Sequence, residues 1–385
     1  MAETNAESHR FTVADHELTF VSSSMSALDR LCRLIDRAKT EIRIQFYIFA
    51  ADEAGEKTRE AVIRALRRGV KVWMMIDDFG SDDLPDSFLD PLRDAGAELC
   101  RFHPRFGRRY LLRNHQKMVI ADRRAAIVGG FNIELKYFDQ RQPESWHDYG
   151  VQVEGPSVEH LARYHERLFK WSVSKSSTLR GIRTLIKRSS DSHGPVQWLI
   201  GGPTLRPSRL VRSLKADFEA GRDLMMMMAY FAPNPGFLRR LGRLARRGRA
   251  RIVTAAHSDN HVTIDATRHC YRRLLRAGVE IFEYQERRLH AKLIVIDDIT
   301  YVGSANFDMR SLYLNMEVML RIKDAAFARE IRSRIESDIG VSEPIDRQRY
   351  GQMAGWFARL RWSIGYFLVA VLDFEVARRL NLDGG

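Results

Sequence analysis

Two short stretches of the sequence carry the same reactive side chains at the same spacing. "NHQKMVIAD" supplies His115, Lys117 and Asp122, and "LHAKLIVID" supplies His290, Lys292 and Asp297. Residues two apart in a strand project to the same face, so each histidine points the same way as its lysine. An imidazole can attack phosphorus or carry a proton, and a nearby ammonium group stabilises developing negative charge. The two pairs therefore indicate chemistry on a phosphate ester.

A turn of small residues with an asparagine follows each motif. The first turn contains Gly129, Gly130 and Asn132, and the second contains Gly303, Ser304 and Asn306. Glycine lets a backbone approach a ligand closely, and an asparagine amide can donate to a phosphoryl oxygen. The residues we expect to bind substrate are Asn132, Asn306, Gly130 and Ser304. The first copy lacks the hydroxyl group that serine supplies in the second.

One such motif alone would be weak evidence, because a lone histidine in a strand is usually packed or faces solvent. Two copies at equivalent places favour one site to which both halves of the chain contribute. One histidine would attack phosphorus to give a phosphohistidine, and the other would protonate the leaving alkoxide and deprotonate the acceptor. These groups need no metal ion or cofactor, so we expect neither. Asp122 and Asp297 fall at predicted hairpin turns, where a structural role competes with a catalytic one.

The elements around the motifs repeat as well. Each half runs through an amphipathic helix, an apolar strand, a basic helix, a strand, a helix and a strand before its motif. Helices alternating with strands predict a duplicated α/β fold with a largely parallel sheet, whose halves share one active site about a pseudo-twofold axis. The predicted segments are a first half at 1–171, a Ser-rich basic linker at 172–195, a second half at 196–342 and an amphipathic tail at 343–385.

Composition limits the kind of partner. The 385 residues include 62 Lys and Arg against 49 Asp and Glu, a net charge of +13, which favours polyanionic partners. Three scattered cysteines argue against a disulfide framework. The first residues lack the apolar segment of a secretory signal, and no run reaches the roughly 18 apolar residues of a membrane span. Any membrane contact should therefore come from the side.

With these motifs in place, the chain resembles the phospholipase D superfamily, whose signature is the doubled His-x-Lys-x-x-x-x-Asp. Within it the chain is similar to the bacterial cardiolipin synthase branch, in a short form without N-terminal transmembrane helices. That narrower likeness lies in "QFYIFAADEAG", "RGVKVWMMIDDFGS", "WHDYGVQVEGP", "AYFAPN" and "GSANFDMRSLYLNMEV", and it covers about residues 18 to 335.

The resemblance implies phospholipase D-like α/β/α halves and transfer of a phosphatidyl group from phosphatidylglycerol to a second lipid or an alcohol. It also implies that His115 is the nucleophile and His290 the acid and base. Glu317 would then orient His115 and Asp148 would orient His290, each from the opposite half. A carboxylate on the far ring nitrogen fixes the tautomer and stabilises imidazolium. A surface ion pair is the alternative for both carboxylates.

Two segments could bring the protein to lipid. "RFHPRFGRRYLLRNH" interleaves basic and aromatic residues before the first motif, which suits anionic headgroups or simply a solvated loop. The tail "WFARLRWSIGYFLVAVLDFEVARRL" has apolar residues at helical spacing, which indicates an in-plane amphipathic helix or a helix docked on the core. We expect peripheral attachment to the cytoplasmic side of the bacterial inner membrane, with phosphatidylglycerol as the lipid partner.

Other activities fit the same two-histidine chemistry. A phospholipid hydrolase is a close variant, a nucleic-acid phosphodiesterase is the runner-up, and a noncatalytic lipid-binding module is a third alternative. The positive charge suits nucleic acid, but the likeness to lipid enzymes and the apolar tail argue against it, so we expect no nucleic-acid partner. The acceptor, the order of the two histidines and the oligomeric state stay open.

Overall fold

A computed structural model describes residues 9–103, 112–141, 144–190 and 193–372. The first half contains β1 (Arg10–Val13), β2 (His16–Ser22), α1 (Met25–Arg37), β3 (Glu41–Phe46), α2 (Glu53–Arg67), β4 (Lys71–Asp77), α3 (Asp86–Asp94), β5 (Glu98–Phe102), β6 (Met118–Ala121), β7 (Ala125–Gly129), a 3-10 turn (Leu135–Tyr137), β8 (Trp146–His147), β9 (Tyr149–Glu154) and α4 (Ser157–Val173). A further helix, α5 (Leu179–Ser189), joins it to the second half.

The second half repeats this order. It contains β10 (Val196–Gly201), α6 (Arg209–Ala220), β11 (Asp223–Met228), β12 (Phe231–Ala232), α7 (Pro235–Arg247), β13 (Arg249–Ala255), α8 (His261–Arg276), β14 (Glu280–Tyr284), β15 (Arg288–Leu289), β16 (Lys292–Ile296), β17 (Ile299–Gly303), β18 (Phe307–Asp308), α9 (Met309–Tyr313), β19 (Glu317–Lys323) and α10 (Ala325–Gly340). The chain goes on through β20 (Ser342–Pro344), α11 (Arg347–Met353), α12 (Trp356–Tyr366) and a π-helical segment (Phe367–Leu372).

In the described part of the chain each half builds one eight-stranded sheet. The strand orders are β1-β2-β9-β7-β6-β3-β4-β5 and β10-β19-β17-β16-β11-β13-β14-β20. Within these two sheets only β3, β4 and β5, and their counterparts β11, β13 and β14, pair in parallel. The two short pairings β12–β18 and β8–β15 lie outside them and are also parallel. The prediction of a largely parallel sheet was therefore wrong, because the hairpin after each histidine adds antiparallel strands. The duplicated α/β architecture is confirmed.

A continuous core joins the halves. Strand β11 shows how it is built, because its four methionines, Met225 to Met228, are all fully buried. Successive side chains of a strand face opposite sides. Met225 and Met227 accordingly join a cluster that contains residues of both halves, whereas Met226 and Met228 pack beneath the helices of the second half. The interpretation of this methionine run as core is confirmed.

The segment predicted as a linker is partly ordered structure. Helix α5 begins at the N-cap Thr178, whose side chain accepts a hydrogen bond from the Gly181 backbone N–H. Ile182 and Ile186 on its inner face are buried in the core that joins the halves. The apolar residues within this Ser-rich, basic stretch therefore form a packing face.

The described part of the predicted tail packs on the second half. Its boundary at residue 342 falls inside β20, which pairs with β14 at the edge of the second sheet. Helix α12 then lies against α8 and buries Trp362 and Gly365. A side chain at Gly365 would place its Cβ 2.9 Å from Cβ of Asp265, so glycine permits the close approach of the two helices. Residues of the tail beyond 372 lie outside the described residues.

Candidate active site

Two short backbone pairings between the halves bring the motifs together. Just before the first motif, the His115 backbone N–H donates to the Met316 carbonyl at 3.0 Å, and the Met316 N–H donates to the Arg113 carbonyl at 2.8 Å. On the other side β15 pairs in parallel with β8, and the His290 N–H donates to the His147 carbonyl at 2.8 Å. His115 therefore lies beside Met316, the residue before Glu317. His290 likewise lies beside His147, the residue before Asp148.

These pairings place one carboxylate behind each imidazole. His115 Nδ1 lies 3.0 Å from Oε1 of Glu317, and His290 Nδ1 lies 2.6 Å from Oδ2 of Asp148. Both carboxylates are fully buried. The cross-half pairs implied by the resemblance are thus present in the structure as buried contacts, and neither is a surface ion pair.

The surroundings favour uncharged imidazoles that share protons with the carboxylates. Burial, followed by the charges of Lys117 and Lys292, holds the pKa of both histidines well below the usual range. Burial also raises the pKa of Glu317 to about 8 and that of Asp148 to about 7. A neutral imidazole that donates from Nδ1 to a carboxylate keeps a lone pair on Nε2. Each Nε2 can therefore act as a nucleophile or a base.

The lysines lie beneath the histidines, nearly without solvent contact. Lys117 Nζ donates to the His115 carbonyl at 2.6 Å, and Lys292 Nζ donates to the His290 carbonyl. Lys292 Nζ also lies 2.9 Å from His290 Nδ1. That nitrogen cannot accept from the lysine while it donates to Asp148. We therefore assign the Nδ1 proton of His290 to the shorter contact with the carboxylate. Burial lowers the pKa of Lys117 to about 7 and that of Lys292 to about 8. A bound anion would favour the protonated lysines.

Both histidines line one cavity of about 590 Å³. Its wall combines cationic side chains with aromatic ones: Arg113, Lys136, Arg310, Tyr47, Trp146 and Tyr230. Cations suit a phosphate group, and aromatic rings offer apolar contact to the rest of a ligand. The cavity therefore fits an amphiphilic phosphate ester next to two reactive imidazoles.

The expected substrate-binding residues divide into two groups. Asn132 and Asn306 line the cavity. Ser304 does not; it is fully buried and its hydroxyl donates to Glu317. Gly130 lies against the other carboxylate, since a Cβ there would meet Asp148 Oδ1 at 2.4 Å. The structure places Ser304 and Gly130 differently from the expected contact with substrate: the serine hydroxyl donates to one carboxylate, and the glycine makes room for the other.

The two motif aspartates lie at tight turns away from the cavity. Asp122 has φ of 51° and Asp297 has φ of 49°, both in the left-handed region that aspartate tolerates. The Asp122 carboxylate accepts from the backbone N–H groups of Lys39 and Thr40 at 2.9 and 2.7 Å, and Asp297 likewise accepts from Asp223 at 2.9 Å. Of the catalytic and structural roles that the sequence left open for these two aspartates, the contacts favour turn stabilisation.

Aromatic contacts to the histidines escaped the sequence analysis. The Tyr47 ring lies 4.9 Å from the His115 ring, and the rings of Tyr137 and Trp146 each lie 5.2 Å from that of His290. Trp146 could have been found, because it stands two residues before Asp148 on an extended segment and shares its face. Tyr137 gave no comparable signal.

Tyr137 also breaks the symmetry of the site. Its hydroxyl lies 3.5 Å from His290 Nε2 and accepts from the Asn132 amide at 3.0 Å. Tyr137 stands five residues after Asn132, and the residue five after Asn306 is Ser311, which hydrogen-bonds to Glu317. The reactive nitrogens of the two histidines therefore have different surroundings.

Comparison with known proteins identifies the class. Residues 31–171 and 218–339 match the family described as "Cardiolipin synthase, PLD-like domain". Cardiolipin synthase B of Escherichia coli is 31% identical over 336 residues, which cover 84% of this chain and 81% of the relative. The major cardiolipin synthase of Bacillus subtilis is 30% identical over 378 residues, covering 94% of this chain and 77% of the relative.

The fold agrees with that class. The crystal structure of a phosphatidylserine synthase from Haemophilus influenzae superposes with a TM-score of 0.69 at 14% identity, covering 90% of this chain and 91% of the other. The chain belongs to the phospholipase D-like family of cardiolipin synthases, which confirms the resemblance and places it among the phospholipid phosphatidyltransferases. Within the described residues no helix has the length and apolar character needed to cross a membrane.

Replacement of Asp122 tests its structural role. Asp122→Ala should lower the free energy of unfolding by about 1–3 kcal/mol, because the backbone N–H groups of Lys39, Thr40 and Glu41 lose their charged acceptor. Asp122→Asn should recover part of the loss, since asparagine also accepts hydrogen bonds and tolerates the left-handed backbone. Denaturant unfolding followed by circular dichroism measures both.

The difference in the free energy of unfolding between wild type and Asp122→Ala should depend on pH. Burial raises the pKa of Asp122, but the hydrogen bonds from Thr40 and Lys39 outweigh it, and the folded-state pKa lies below the usual value. The stabilising effect is therefore fully present above the unfolded pKa of about 4 and is lost as pH falls through the folded pKa. A difference between wild type and Asp122→Ala that stays constant into acid would contradict this role.

Proposed function

We propose that the protein transfers a phosphatidyl group from phosphatidylglycerol through a phosphohistidine at His115 to the hydroxyl group of a second phosphatidylglycerol. The main observation in support is that two imidazoles face one cavity and that each contacts a buried carboxylate of the opposite half. A nucleophile and a proton carrier on one phosphorus require such an arrangement.

The reaction has two balanced steps. Binding of the anionic donor favours protonation of His290, whose imidazolium form Asp148 stabilises. In the first step, His115 Nε2 attacks phosphorus, a P–N bond forms, and the P–O bond to glycerol breaks as protonated His290 gives its proton to the leaving alkoxide. In the second, His290 removes a proton from the acceptor hydroxyl, whose oxygen attacks phosphorus as the P–N bond breaks. The products are cardiolipin and glycerol, and His290 ends in its initial protonation state.

The lysines and carboxylates of the site support both steps. Lys117 and Lys292 lie close enough to feel both carboxylates, so the bound phosphodiester joins a cluster of compensating charges. When an imidazole gains a positive charge, its carboxylate stabilises it. Cations of the wall, such as Arg113 and Arg310, suit the phosphate of a donor or an acceptor lipid.

Two observations support the division of labour between the histidines. The likeness to family members described from the sequence supports His115 as the nucleophile. The Tyr137 hydroxyl near His290 Nε2 gives that nitrogen an oxygen neighbour, which supports His290 as the histidine that transfers the proton. The relatives' names indicate cardiolipin as the product. We propose that the protein works at the cytoplasmic surface of the inner membrane, where phosphatidylglycerol is available.

A donor with a good leaving group tests the covalent step. Phosphatidyl-p-nitrophenol needs no proton to release nitrophenolate. The His290→Ala variant should therefore give a burst of about one equivalent of nitrophenolate and retain an acid-labile phosphatidyl label. The His115→Ala variant should give neither. A burst from His115→Ala alone would reverse the assignment, and a wild-type enzyme that turns over without any labelled intermediate would exclude the covalent route.

The same preparation identifies the acceptor. Wild-type protein incubated with phosphatidylglycerol vesicles should yield cardiolipin and glycerol by mass spectrometry, and both histidine variants should yield neither. Phosphatidic acid as the only lipid product would make the protein a hydrolase. Cleavage of single-stranded DNA without any lipid product would support the nucleic-acid phosphodiesterase instead.

A matched pair of substitutions tests the carboxylate behind His290. Asp148→Asn should lower kcat about 100- to 10,000-fold, because the amide neither fixes the ring tautomer nor stabilises imidazolium. Asp338→Asn is the control: Asp338 is also buried and contacts His147 at 3.0 Å, but neither residue lines the cavity. Steady-state assays with proof of folding measure both. Equal losses in the two variants would indicate a general structural effect.

A further inference from the structure

Exposed apolar side chains concentrate on one element of the described chain. Of the twelve large hydrophobic residues exposed there, seven lie within residues 356–371. They are Trp356, Phe357, Leu360, Ile364, Phe367, Leu368 and Val371. Single exposed apolar residues need no explanation, but a contiguous set on one face marks an interaction surface. We call this set the outer face of the tail.

The opposite side of the same helix is fixed to the protein. Trp362 and Gly365 of α12 are buried against α8. The Tyr366 hydroxyl donates to the Pro233 carbonyl at 2.8 Å, and the Arg361 side chain lies 3.0 Å from the Asp265 carboxylate. Both sides of the helix are therefore apolar, but only one side packs on the protein, so the outer face is held in a fixed orientation.

Exposed arginines on α12 and on the neighbouring α8 suit an anionic partner. Arg272 and Arg276 on α8 and Arg359 on α12 are exposed and lie close to Tyr350, where all three oppose the effect of burial on its pKa. An apolar helical face with neighbouring arginines is the pattern of helices that lie in the interface of an anionic bilayer, where each cation contributes about 1 kcal/mol.

The outer face is continuous with the active-site cavity. Val369 lies between the exposed Phe367 and Val371 and lines the cavity. Thr263, in the first turn of α8, lines the same wall. A surface in contact with the outer face therefore lies next to the cavity that contains the two histidines.

We propose that the outer face of the tail inserts into the interface of an anionic phospholipid bilayer and brings the lipid surface to the cavity wall at Val369. This deepens the proposed function, on which it rests for the identity of the lipid. A bilayer is favoured over a second copy of the chain because exposed arginines lie on α12 and on the α8 helix that holds it, and because the substrate of the proposed reaction is itself a membrane lipid.

Two double variants with the same change in charge test the surface. Phe357→Asp with Ile364→Asp alters two outer-face residues that are 77% and 50% exposed. Leu205→Asp with Val173→Asp is the matched control at 74% and 50% exposure, away from the tail. Co-sedimentation with phosphatidylglycerol–phosphatidylcholine vesicles should fall about tenfold or more for the tail variant and stay at the wild-type level for the control.

Activity separates this inference from the proposed function. The tail variant should lose turnover of phosphatidylglycerol in vesicles in step with binding, but should keep wild-type turnover of dissolved short-chain phosphatidylglycerol. Wild-type vesicle binding by the tail variant would overturn the docking surface. So would a lipid-free dimer of the wild type that the tail variant dissociates. The wild-type protein could also bind vesicles through the tail and yet be inactive on both forms of phosphatidylglycerol. That result would support the docking surface and contradict the proposed function.

Discussion

The active site depends on two short backbone pairings, in each of which a segment of one half pairs with a segment of the other. Met316 and His147 each pair with the chain at the opposite histidine, and the residue that follows each of them is a carboxylate. Because backbone hydrogen bonds fix the register of the paired segments, they also fix the positions of the Glu317 and Asp148 carboxylates. Neither half alone contains a complete imidazole–carboxylate pair. The site therefore needs both halves, since each supplies what the other lacks.

The site gathers buried charges that would be costly if they were isolated. Two carboxylates, two lysines and two imidazoles from opposite halves of the chain lie in one cluster, nearly out of contact with water. Such groups persist in a folded protein only when they compensate one another. Burial moves the pKa values of the histidines and lysines down and those of the carboxylates up, so all three types lie closer to their neutral forms. In the proposed reaction, a bound phosphodiester would supply the negative charge that favours the protonated lysines.

Much of the site could be predicted because its pattern is local. The alternation of a strand places His115 with Lys117, and duplication shows that both copies matter. Contacts between distant segments were harder to predict. The roles of Ser304 and Gly130 depend on carboxylates thirteen and eighteen residues further along the chain. The tail has apolar residues all around, so its sequence fits docking and insertion equally, and only the contacts of Trp362 and Gly365 with α8 separate the two sides.

The most direct measurement of the central claim is the nuclear magnetic resonance of ¹⁵N-labelled histidine side chains. In the wild type, His115 and His290 should each show a strongly downfield Nδ1 proton, as expected for an imidazole that donates to a buried carboxylate. Glu317→Gln should shift only the resonance of His115, and Asp148→Asn only that of His290. If Glu317→Gln left the His115 proton unchanged, or shifted the His290 proton instead, the exchange of carboxylates between the halves would be contradicted.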